Sequence, residues 1–176
     1  MSVNIIFRIH TLFFIVIICS FLLFIPSVSY SFSLFGPSWS EEEKKEVCYF
    51  LRSYGTVRDT TALFNNWHQS NSTPDFKLLI SRHASVLKDS EMVSDRVLDK
   101  IHPNLKKHYR HELVESSNLA IKYYTNILFK NKHINIQTTI KSSALHDKFG
   151  DFFQSKAKEF KMPKRIMSYC KETNLY

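Results

Sequence analysis

Residues 104–129 read NLKKHYRHELVESSNLAIKYYTNILF, and this stretch decides the fold. Leu105, Tyr109, Leu113, Ala120, Tyr124, Ile127 and Leu128 follow the three- and four-residue spacing that lines side chains up along one helical stripe. No proline or glycine interrupts them. The spacing predicts a single helix of about seven turns, long enough to run the length of a domain.

On its amino-terminal side, Pro103 forces a boundary at His102. Residues 90–101 then read as a helix burying Val93, Val97 and Ile101. Another begins near Pro74, whose ring suits a first helical turn, and carries Phe76, Leu79, Ile80, His83, Ala84 and Leu87. QSNST, residues 69–73, breaks the pattern, and Asn71-Ser72-Thr73 within it fits an N-glycosylation acceptor. Residues 59–68 predict a helix with Leu63, Phe64 and Trp67 inside. The first helix starts at Ser40, an N-cap with Glu43 placed for a capping box; its face is Val47, Phe50, Leu51 and Tyr54, ended by Gly55.

On the carboxy-terminal side, HINIQTTI alternates Ile134, Ile136 and Ile140 with polar residues like a strand, yet a lone strand has nothing to pair with and a helix fits nearly as well. Residues 132–142 are therefore left unassigned. Residues 143–161 predict a helix with Leu145, Phe149, Phe152, Phe153, Ala157 and Phe160, stopped by Pro163, and a short last helix holds Ile166, Met167 and Cys170. With only 3 glycines in 176 residues, the expectation is an all-α protein, a single helical bundle of about five to seven helices after an amino-terminal signal.

That signal is TLFFIVIICSFLLFI, residues 11–25, uncharged and preceded by Arg8, with Pro26 and the small-residue run SVSYS after it. Ser29 and Ser31 suit a cut after Ser31, which leaves residues 32–176 as one domain. Residues 5–25 also suit an uncleaved membrane anchor if Arg8 snorkels. Either way residues 32–176 lie outside the cytoplasm: secreted or periplasmic, or the outer part of a single-pass membrane protein.

Removal of the signal takes Cys19 with it and leaves Cys48 and Cys170. A pair of cysteines in an exported chain predicts one disulfide, tying the first helix to the last segment. Two buried free thiols are the alternative.

The net charge of +8 is unevenly spread. Residues 32–129 carry 13 Lys and Arg against 12 Asp and Glu, whereas residues 130–176 carry 10 against 4. Lys148, Lys158, Lys161, Lys164 and Arg165 accompany the phenylalanine stripe, which fits a helix lying on an anionic surface. The same pattern fits a core-facing stripe with a solvated back, and Lys156, falling inside the phenylalanine arc, favours this second pattern. An exported chain without a recognition module argues against nucleic acid as partner.

Among candidate chemistries, His108 with Glu112 and His111 with Glu115 are each four apart and could chelate a divalent ion. The zincin pattern matches only at His111-Glu112, because Glu115 stands where a second histidine belongs. The stripe also turns His111 and Glu115 to solvent, where such pairs are ordinary, so all four are expected to form a solvated face without metal. His83, between Ile80 and Leu87, predicts a core histidine with one satisfied nitrogen. No G-x-S-x-G elbow and no glycine-rich phosphate loop occurs. The expectation is an exported noncatalytic helical protein, without cofactor, acting through contacts with a protein or an anionic envelope surface. Alternatives are a membrane-anchored or membrane-surface protein using residues 5–25 or the basic carboxy-terminal helix, and a metal-binding protein or hydrolase.

Overall fold

The computed structural model describes residues 37–129 and 136–176. The signal or anchor at residues 1–31, Cys19, and residues 132–135 of the unassigned segment lie outside the described residues. Among the described residues all regular structure is helical, and no helix is long and apolar enough to cross a membrane.

Helix α1, Glu41–Gln69, begins as its capping box requires. The Ser40 hydroxyl accepts from the Glu43 backbone N–H at 3.2 Å, and the Ser40 N–H donates to the Glu43 carboxylate at 2.9 Å. The helix does not stop at Gly55, and the two helices expected over residues 40–68 are one. The buried face continues through Val47, Phe50, Val57 and Thr60 at helical spacing on both sides of Gly55. Keeping that face in register outweighs the roughly 1 kcal/mol a mid-helix glycine costs.

Helix α2, Phe76–Glu91, is capped by Asp75, whose carboxylate accepts from the Leu78 N–H at 3.0 Å; Pro74 stays just outside. Val86 is buried where Ala84 was expected, and Ala84 is exposed. Helix α3, Asp95–Ile101, starts at the Ser94 cap rather than at Ser90, because residues up to Glu91 belong to α2. Arg110 bridges this joint: its guanidinium donates to the carbonyls of Ser90, at 2.7 Å, and Val93 and to the Asp95 carboxylate at 3.1 Å. Arg52 ties α1 to α2 through two hydrogen bonds to buried Asp89, at 2.8 and 2.6 Å.

The long rod of residues 105–128 forms as expected but is not uniform. It comprises α4 (Leu105–His108), a π-helical turn (Tyr109–Val114) and α5 (Glu115–Leu128). Its side-chain spacing explains the π turn. Leu105, Tyr109, Leu113 and Ser117 are all fully buried, yet three successive four-residue steps would swing the face of an α-helix by about 120°. A π turn holds one residue more per ring and takes up that overshoot.

Helix α6, Ile136–Lys156, begins seven residues earlier than expected and includes the described part of the unassigned segment. A 3-10 turn, Ala157–Glu159, and α7, Ile166–Glu172, complete the chain. α1 packs against α2 and α7, α2 against α5, and α5 against α6. The core between them holds Phe50, Tyr109 and Phe149 fully buried, with Tyr54 stacked on Phe153 at 4.3 Å.

Cys48 on α1 and Cys170 on α7 are fully buried with Cα atoms 5.5 Å apart and sulfurs at bonding distance. The expected pairing of the first helix with the last segment is what the structure contains.

Candidate functional site

The phenylalanine stripe faces inward: Phe149 is fully buried, and Phe152, Phe153 and Phe160 pack on the core. Lys148, Lys158, Lys161, Lys164 and Arg165 are exposed on the solvated side. Lys156, half-buried, leans on Glu159 at 2.8 Å.

The four residues of the candidate metal helix do not form one solvated face. His111 is exposed and Glu115 half-buried, but Glu112 is only 8% exposed. Its carboxylate meets His108 Nδ1 at 2.8 Å, and the His108 ring stacks on Phe152 at 3.8 Å. The solvated-face expectation fails for Glu112, which lies in the π turn and is buried there with Tyr109 and Leu113. Among the described residues, no three His, Cys, Asp or Glu come together in a way that could hold a metal ion.

His83 is the candidate that leads to a site. Only 6% exposed, it keeps one ring nitrogen, Nδ1, 3.3 Å from the hydroxyl of fully buried Ser117 on α5. Its ring edges a pocket of about 170 Å³ between α1, α2, α5 and α6. α1 contributes Val57, Thr60 and Phe64, and α5 contributes Ser116, Ala120 and Tyr124. The fourth wall is a stripe on α6: Thr139, Ser142, Ser143 and His146. These are spaced as i, i+3, i+4 and i+7, the period of a buried helix face filled here by polar side chains.

The pocket wall is uncharged. No Asp, Glu, Lys or Arg lines it among the described residues. Burial pushes the His83 imidazole down to about 4, with His146 adding to the shift. Burial likewise pushes His146 down, against a smaller opposing pull from Asp147. The Tyr124 phenol is pushed up to about 12, again by burial. All three are neutral at physiological pH.

Most hydroxyls here are already committed. Thr60 donates to the Thr56 carbonyl at 2.6 Å, Ser116 to the Leu113 carbonyl at 2.7 Å and Ser142 to the Ser116 carbonyl at 2.8 Å. Thr139 Oγ1 differs, being buried without a hydrogen-bond partner among the described residues. The His83 and Ser117 pair is poorly placed for acyl transfer. An imidazole titrating near 4 is a weak base at neutral pH, and Ser117 lies mid-helix with no exposed surface.

Sequence reasoning singled out His83 but missed its partners, which lie on three other helices. The polar i, i+3, i+4, i+7 series at residues 139–146 was the available signal. Set beside protein-family models, curated proteins and solved structures, the chain matches none.

Proposed function

We propose that this chain is an exported, noncatalytic helical protein, secreted or periplasmic, that acts through contacts with a protein or an anionic envelope surface. The observation that carries the proposal is the Cys48 and Cys170 pair, a buried cross-link between the first and last helices of the bundle. Such links persist outside reducing compartments, in keeping with the signal-like layout of residues 8–31. The weak basicity of His83 and the burial of Ser117 support a binding role over a hydrolytic one. The exposed cations Lys148, Lys158, Lys161, Lys164 and Arg165 favour an anionic partner.

Amino-terminal sequencing and thiol titration of the protein from its native source test this proposal. The expected result is an extracellular or periplasmic chain starting near Phe32 with no titratable thiol. A chain retained in the membrane and still beginning at Met1 supports the anchored alternative, and a cytoplasmic chain with free thiols overturns the proposal.

A further inference from the structure

We propose that the pocket between α1, α2, α5 and α6 binds an uncharged, single-ring molecule that carries a hydroxyl or carbonyl group. This goes beyond the contact function proposed above and stands or falls separately from it. Size sets the first limit. The volume of about 170 Å³ resembles that of cavities, about 150 Å³, that admit benzene, so the pocket has room for one ring.

Charge sets the second limit. Both imidazoles are held neutral by burial, and no charged side chain of the described residues lines the wall, so an ionised ligand would lose its hydration without compensation. Polarity sets the third. Ser143, His146 and Tyr124 bring hydrogen-bonding groups to the wall, while Val57, Phe64 and Ala120 supply apolar wall for a ring. Ser143, exposed on α6, stands at the mouth.

Benzyl alcohol, benzoate, benzylammonium and toluene are near-isosteric probes that separate these limits, and each is titrated into the full chain at pH 7. Binding is followed by the ring signals of His83 and His146 in NMR spectra and by the melting temperature. Benzyl alcohol is expected to move both histidine signals and raise the melting temperature with concentration, binding at least tenfold more tightly than benzoate or benzylammonium. Ser143→Ala should weaken benzyl alcohol several-fold while leaving toluene unchanged. Ser143→Leu, a substitution at an exposed rim position, should abolish binding without unfolding the protein. Absence of any histidine shift at millimolar benzyl alcohol, equal binding of the charged probes, or binding indifferent to both substitutions overturns the proposal.

Discussion

Cys48 and Cys170, 122 positions apart in the chain, stand with their Cα atoms 5.5 Å apart in the middle of the core. The bond closes almost the whole described fold into one loop. In the chain-entropy account a loop of this length stabilises the native state by about 5 kcal/mol, less any native strain.

Reduction should therefore be costly. In urea titrations, the Cys48→Ala and Cys170→Ala double variant is expected to lose about 2–5 kcal/mol relative to the oxidised protein. Reductant should lower the parent toward the variant and leave the variant unmoved. Equal midpoints for the two proteins under oxidising conditions would show that the link contributes nothing.

His83 gives the fold a pH dependence of known sign. Its imidazole titrates at about 4 when folded and near its ordinary 6.5 when unfolded, so between these values the unfolded chain binds more protons. The contribution is fully present above about pH 6.5 and is lost as pH falls toward 4, about 3 kcal/mol in all. His146 acts in the same direction. Glu43, held below the usual carboxylate range chiefly by its hydrogen bond from Lys100 and then by the Ser40 N–H, loses its share only on further acidification below about pH 4.5. Urea midpoints of the parent and His83→Gln between pH 7 and 4 separate the two: the parent should fall more steeply, and parallel curves would refute the assignment.

The all-α class, the Ser40 capping box and the cysteine pair were legible because each rests on local spacing or on simple counting. Gly55 misled because glycine is a common helix end, whereas the face from Val47 to Thr60 reads through it. The onset of α6 was obscured by alternating isoleucines, and Ile136 and Ile140 turn out to be exposed, 66% and 55%, on a helix. The pocket was illegible for a different reason. His83, Tyr124 and Thr139 come from three helices, and no pattern within one segment says that they meet. The π turn was readable in retrospect from four buried positions at strict four-residue spacing, from Leu105 to Ser117.

The ion pair joining α1 to α2 should be a stability determinant despite the usual weakness of surface pairs. Asp89 has only 6% of its side chain exposed and receives both arms of the Arg52 fork. Asp89→Ala is expected to cost about 2–3 kcal/mol, since it removes two charge-assisted bonds made at a buried carboxylate. Arg58 and Asp59, whose side chains are 65% and 60% exposed, offer the control: Asp59→Ala should change stability by about 0.5 kcal/mol or less. Similar losses for the two substitutions, read from urea midpoints, would remove the distinction drawn between them.

The last prediction separates the residues of the HELVE segment. If neither His108 with Glu112 nor His111 with Glu115 holds a metal, the melting temperature will be indifferent to chelator and to added zinc or manganese, because only an ion bound by the folded state shifts it. His111 is exposed and Glu115 half-buried, so the double alanine variant should change stability by roughly 0.5 kcal/mol. Glu112 belongs to a different environment. It is nearly buried and bonded to His108 at 2.8 Å, and His108 in turn lies flat on Phe152, so Glu112→Ala removes an acceptor that fixes an aromatic stack on the core. That substitution should cost about 1–3 kcal/mol, and His108→Ala a similar amount, with the double variant costing less than the sum. Additive losses would show that the pair does not act as a unit. A chelator-induced drop in melting temperature that vanishes in the His111 and Glu115 double variant would instead establish a metal site on this helix.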